Sequence, residues 1–206
     1  HTYDYGEGTP EDPYQIHNVN DFKGIRDHLN SHFILMSDID LSAWSGRTQS
    51  SFSVGGNFFG GSIDGQGFTL TLGSGHGLFE DSSDFVTIKN LNIVGGSTVG
   101  DPALFENLSH GGHFENVSYT GWAYRGGLIN VVSGGGLQLV NCSVNGYVMD
   151  GSGIVSEINT EEDVALLGCS WKGYRLQQGY DSPSPTRPYG GIAGNITTTG
   201  SVEIVD

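Results

Sequence analysis

The chain has 206 residues, 34 of them glycine, and carries 23 acidic against 8 basic side chains for a formal net charge of −15. Nothing in that balance supplies the basic stripe that phosphate binding needs, which argues against nucleic acid; an acidic surface fits a secreted or salt-exposed protein. No run approaches the ~18 apolar residues of a membrane span, and glycine lacks the period of three that marks collagen.

The chain opens at His1 without a basic-then-apolar leader, as expected of a processed chain or a fragment. Asn20 or Asp21 is placed to cap a short helix over 21–30, whose apolar residues Phe22, Ile25 and Leu29 share one face. A strand is expected at Phe33–Met36, then Asp38-Ile39-Asp40-Leu41, then a strand pair from 58–65 and 68–72 joined by a turn at Gly65-Gln66-Gly67. Residues 1–76 fit the later repeat poorly and read as a cap with first irregular rungs. The helix would cover an end that could otherwise recruit another chain.

From residue 77 three short blocks recur in fixed order. The first is Gly77-Leu78-Phe79-Glu80, then Ala103-Leu104-Phe105-Glu106, Gly127-Leu128-Ile129-Asn130, Gly153-Ile154-Val155-Ser156 and Gly191-Ile192-Ala193-Gly194, in steps of 26, 24, 26 and 38. The second is a strand centred on Ile88, Phe114, Leu139, Leu166 and Ile204. The third begins at Asn90, Asn116, Asn141 and Gly168. Short apolar blocks bounded by Gly, Asn and Ser are strands, and three short strands cannot bury their own apolar face, so neighbours must stack. The expected fold is all-β: one continuous right-handed parallel β-helix of about 26 residues per rung with a short N-terminal capping helix. Residues 77–206 form its rungs, with an insertion loop at 174–189.

In the third block, Leu91 and Ile93 and their equivalents should point inward. Cys142 and Cys169 then share an inward column as replacements for Leu91 and Val117, either as stacked thiols or as a strained inter-rung disulfide. Asn90, Asn116 and Asn141 share the turn column, where amides can bond each other. An inward ladder would bar a glycan from the sequons at Asn116 and Asn141, two of four with Asn107 and Asn195. The stack ends after Ser201-Val202-Glu203-Ile204 without a cap, so either the chain continues in the full protein or another subunit associates with that edge.

The segment from Gly8 to Ile16, then Asp21-Phe22, Asp38 to Ser42 and Phe59 to Gly67, followed by the Gly-Leu-Phe and Ile-Lys-Asn-Leu blocks, resembles the GLUG-motif β-helix proteins. Glu80 and Glu106 depart from it, standing where that family often has glycine. The resemblance implies a secreted or surface-attached bacterial, archaeal or viral protein, often adhesive or a module of something larger, and no single catalytic mechanism.

Candidate chemistry is sparse. Glu80 and Glu106 share a column on neighbouring rungs, so their carboxylates could lie about 5 Å apart, a separation suited to a retaining glycosidase; Asn130 and Ser156 continue the column, which then reads as a polar edge. Asp38, Asp40 and Asp64 offer hard oxygen ligands, making calcium a possible cofactor, although aspartate in turns needs no metal. The pairs His28/His32 and His110/His113 read as solvent-exposed. Trp122, Tyr147 and Tyr174 each follow the glycine that ends a third block and form an aromatic column, a platform for sugar rings or a packing surface for the insertion that contains Arg187. With no nucleophile beside a base, no phosphate loop and no metal cluster, the leading function is a noncatalytic extracellular module, adhesive or architectural, on a cell surface, filament or virion. The alternatives are a polysaccharide-active lyase or hydrolase, by fold analogy, and a glycan-binding module.

Overall fold

The structure, a computed structural model, describes residues 1–43, 58–73, 77–95, 102–149, 153–176 and 191–205. Among them, Tyr14–Ile16, His32–Leu35, Ser62–Asp64, Val86–Val94, Gly112–Tyr124, Leu137–Val140, Val164–Leu167 and Val202–Val205 pair in parallel in that order. The register is the one the repeat predicts: Ile88 opposes Phe114, Phe114 opposes Leu139, Leu139 opposes Leu166 and Leu166 opposes Ile204. The chain is therefore a parallel β-solenoid.

A second column runs from Ile39–Asp40 and Thr69–Thr71 through the C-terminal parts of Val86–Val94 and Gly112–Tyr124 to Ser143–Met149 and Ser170–Leu176. A third stacks Phe105–Leu108, Ile129–Val132, Val155–Thr160 and Ala193–Thr198. The segments 58–65 and 68–72 do not pair with each other. Ser62–Asp64 pairs with the strands of the first column and Thr69–Thr71 with those of the second, because Gln66 (φ 50°) and Gly67 (φ 81°) turn the chain through a corner of the rung.

Inside the stack, alternate side chains from each strand meet on the axis. Phe33, Ile63, Ile88, Phe114, Leu139 and Leu166 are all buried in one column. Phenylalanine rings bridge the rungs: Phe59 stacks on Phe79 with centroids 4.5 Å apart, and Phe79 meets Phe105 at 5.1 Å. Each fully buried ring contributes about 1.5–3 kcal/mol from burial alone, and a rung has no core until its neighbour is in place.

Cys142 and Cys169 are free, buried and stacked in the inward column, as the apolar pattern requires. The asparagines are not inward. Asn90, Asn116 and Asn141 all adopt the left-handed conformation (φ 53°, 53° and 52°), and Gly168 (φ 59°) takes that place on the following rung. A left-handed residue turns the strand sharply and resets the in-out alternation, so Asn116 and Asn141 are exposed at the corner. Inward burial therefore gives no bar to a glycan there.

The N-terminal cap also differs from expectation. The helix is Val19–Gly24, continued by a 3₁₀ turn at Ile25–Asp27, and its cap is Asn18. Asn18 Oδ1 accepts from the backbone N–H of Asn20 (2.8 Å) and Asp21 (3.1 Å), while Asp21 accepts from Asn18 Nδ2 and His17 N, both at 2.9 Å. Asp21 is thus the reciprocal partner of the cap. Phe22 and Ile25 are buried, and Tyr3 covers the same end, stacked on Tyr14 at 4.4 Å.

Candidate functional site

The aromatic column forms. Trp122 pairs in register with Tyr147, and the backbone of Tyr174 continues the line. Ala123 and Val148, the next residues, are buried, so Trp122 and Tyr147 point outward and are half-buried. Their ring centroids lie 4.6 Å apart at 36°. Rings that close together turn their faces mainly toward each other and offer edges to a partner, whereas sugar stacking needs a face. The Tyr119 hydroxyl donates to Trp122 O at 2.6 Å and pins the strand from within. Arg187 and residues 177–190 lie outside the described residues.

Glu80 and Glu106 sit one rung apart, with Asn107 N donating to Glu80 O at 2.9 Å. Glu80 is exposed, while half-buried Glu106 accepts from Asn130 Nδ2 on the following rung. The three aspartates are each held by local donors. Asp38 accepts from Thr69 N at 2.8 Å. Asp40 accepts from Ser42 N at 2.8 Å, and Ser42's hydroxyl and N–H hold its carboxyl below the usual range. Asp64 accepts from Gln66 N (3.0 Å) and Asn90 Nδ2 (3.2 Å) and pairs with Lys89 Nζ (3.4 Å). No group of three or more metal-ligating side chains forms among the described residues.

Of the histidines in the two pairs, His28, His32 and His113 are half-buried and tied down, while His110 is exposed. His28 Nε2 donates to His1 O (2.8 Å), and His32 Nδ1 meets Ser62 Oγ (2.7 Å). His113 lies between Gln138 Oε1 (2.8 Å) and Glu115 Oε2 (3.2 Å) on the outer face of the first column. With Lys89 and Asp64 this forms a polar strip that no short motif announces. Its signal is the register itself, since Asp64, Lys89 and Glu115 oppose one another on successive rungs.

The structure also brings together Asp81, Ser82, Asn107, Ser109 and His110. Ser109 Oγ lies 2.9 Å from His110 Nδ1, a nucleophile beside a base that sequence reasoning did not find. Its wiring is wrong for attack. His110 Nδ1 also lies 2.8 Å from Ser82 O, a carbonyl that can only accept, so Nδ1 carries the hydrogen and cannot take the serine's proton. Ser109 Oγ donates to the same carbonyl at 3.0 Å. Asp81 accepts from Ser82 N (2.6 Å), Asn107 Nδ2 (2.9 Å) and Ser109 N (3.0 Å), none of them the imidazole. The group latches one rung to the next.

An open polar groove of about 570 Å³ crosses three rungs, lined by Ser133–Gly135, Asn159–Glu162 and Thr197–Thr199. Three of its threonines bond neighbouring backbone: Thr160 Oγ1 donates to Gly135 O (2.7 Å), Thr198 Oγ1 to Glu162 O (2.7 Å) and Thr199 Oγ1 to Glu161 O (3.2 Å). At the far end of the stack, Val202, Ile204 and Val205 are about half exposed, although Ile204 stands in line with the fully buried Phe114, Leu139 and Leu166.

No protein-family profile matches the chain, so the GLUG resemblance rests on the motifs quoted above. The chain is 33% identical over 175 residues to halomucin of Haloquadratum walsbyi, a match covering 79% of this chain and 2% of that protein. It is 33% identical over 129 residues to a protein of Evansella cellulosilytica described as a Gly-rich membrane protein, covering 55% of this chain and 15% of that one. The chain thus spans a small part of the curated relatives it matches. Among solved structures, it resembles a Bacteroides ovatus protein described as an immunoglobulin A1 protease, with a TM-score of 0.57 and 15% identity, over 98% of this chain and 87% of that one. At that identity the likeness extends to the fold alone. No helix among the described residues is long and apolar enough to cross a membrane. With the solved structure the chain shares its fold, and with the two curated relatives it shares sequence over a small part of their length.

Proposed function

We propose that the chain is a noncatalytic, surface-attached or secreted module, in which a rigid solenoid serves adhesion or architecture. One observation carries this reading: Asp64, Asp81, Glu106 and His110, the polar groups best placed for chemistry, each bind a neighbouring rung. Catalytic groups converge on a space where a substrate can sit; these hold the stack together. The names of the two relatives, and the small share of each that this chain spans, agree with a module in a larger surface polymer. At the exposed strand Val202–Val205 we place contact with a parallel strand of a second copy.

The test pairs turnover with retention. The purified chain is incubated with a panel of acidic and neutral polysaccharides and with immunoglobulin A1, and release of reducing ends or fragments is measured beside retention on surfaces coated with the same polymers. The expected result is retention without turnover. Turnover that disappears in Glu106→Gln or His110→Ala would overturn the reading in favour of an enzyme. Retention lost in a folded Trp122→Ala/Tyr147→Ala chain would assign the binding to the aromatic column.

A further inference from the structure

Cys142 and Cys169 stand in the same inward column on adjacent rungs. The residues that follow them, Ser143 and Ser170, are register partners, and Ser170 N donates to Cys142 O at 3.0 Å. Neighbouring parallel strands run about 4.7–4.9 Å apart, inside the roughly 4.4–6.8 Å of Cα separation that a disulfide spans. Their polar contacts are weak ones to backbone carbonyls: Cys142 Sγ to Phe114 O (3.4 Å) and Val140 O (3.6 Å), and Cys169 Sγ to Leu139 O (3.4 Å) and Leu167 O (3.5 Å). On the preceding rungs the position holds Leu91 and Val117, both buried, so it accepts larger apolar side chains and does not require thiols to fit the space.

We propose that Cys142 and Cys169 are a cross-linking site: a low-molecular-weight disulfide converts the stacked thiols into an inter-rung disulfide, closing a loop between positions 27 apart. Cys169, the less deeply buried of the two at 6% exposure against 0%, reacts first. Its thiolate attacks one sulfur of the reagent, forming a mixed disulfide and releasing one small thiolate. Cys142 then attacks Cys169 Sγ, the cysteine–cysteine bond forms, and the second small thiolate leaves. The two cysteines are oxidised and the reagent is reduced, the two cysteine protons ending on the two small thiols. The unequal burial orders these steps. The neighbouring Cys169, with burial added, pushes the Cys142 thiol well above its ordinary value, while the neighbouring Cys142 lowers that of Cys169. A surface or secreted location, proposed above, supplies an oxidising medium, but the chemistry does not depend on that reading.

The test uses the full chain, reduced, freed of reductant and incubated folded with oxidised glutathione. It is then denatured, alkylated with iodoacetamide and weighed. The expected product has lost two hydrogens, carries no alkyl group or glutathione, and yields a linked peptide pair containing Cys142 and Cys169. Its thermal midpoint should exceed that of the reduced chain by on the order of 5–10 °C, through the loop closed in the unfolded state. Cys142→Val, which restores the side chain found at Val117, should fold and show no oxidant-dependent shift. Recovery of two alkylated cysteines, of two glutathione adducts, or of disulfide-linked dimers would overturn the proposal.

Discussion

Asn116 donates its side-chain Nδ2 to Asn90 Oδ1 across 3.1 Å, and both residues hold the same left-handed backbone at φ 53°. The bond joins two corners of the solenoid 26 positions apart. Asn90 in turn donates to Asp64 on the rung before, so a polar chain runs up the outside of the stack parallel to the apolar columns within.

Asn116→Ala removes the bond and places a side chain disfavoured at positive φ. A loss of about 1–2 kcal/mol is expected. Asn116→Gly also loses the bond but accepts the conformation, so it should cost less. Urea denaturation of the two variants separates the parts; equal losses would show that backbone conformation is irrelevant there.

The approach of the second-column strands depends on glycine. A Cβ at Gly146 (φ 148°) would lie 1.9 Å from Gly121 O, a clash with backbone that cannot rotate away. Gly146→Ala is expected to destabilise by more than about 3 kcal/mol, through strain and lost pairing. Gly191→Ala, where nothing lies within 4 Å, is the matched control and should change the thermal midpoint little.

Asp81 sets an acid limit on the early rungs. Burial would raise its carboxyl, but donors from Asn107, Ser109 and Ser82 outweigh it and hold the group below its ordinary value of 3.8. A folded pKa below the unfolded one stabilises the fold above the unfolded value, and that contribution fades as pH falls through the folded one. Asp81→Asn should therefore lower stability at neutral pH and flatten the loss below roughly pH 4. Thermal midpoints measured from neutral pH down to pH 2.5 or so check this; parallel curves for the two chains would refute it.

The net charge of −15 predicts a salt response. Raising ionic strength from about 0.1 to 1 M shortens the screening length from roughly 10 to 3 Å and weakens repulsion among the surface carboxylates. The thermal midpoint should rise on the order of 5 °C with sodium chloride, with most of the gain at the lower concentrations. A flat or falling midpoint would show that local ion pairs outweigh the repulsion.

Much of the architecture was legible before any coordinates. A period near 26 placed Ile88, Phe114, Leu139, Leu166 and Ile204 in one column, and the structure pairs them so. The same spacing brought Trp122 beside Tyr147 and Cys142 beside Cys169. It succeeded because in a solenoid a residue's neighbours lie one repeat away in sequence, so register can be counted. The corners were less legible. Counting inward and outward positions along a strand assumes unbroken alternation, and the left-handed residues at Asn90, Asn116 and Asn141 interrupt it, which is why their side chains lie outside. The cap was misplaced by a similar ambiguity: Asn18, Asn20 and Asp21 all suit a helix start, and only their mutual hydrogen bonds assign the roles.

The sequence by itself determined the parallel stacking, the apolar columns and the acidic surface, because each follows from composition repeated at a fixed interval. Only the tertiary structure decided what the polar groups do. Asp81, Glu106, Asn116 and His110 each bind a neighbouring rung, and Ser109 meets His110 through a shared carbonyl that disarms the pair. Hydrogen bonding depends on direction and on distances of a few tenths of an ångström. A repeat period sets which residues are neighbours; the direction of each donor emerges only once the corners have turned the chain.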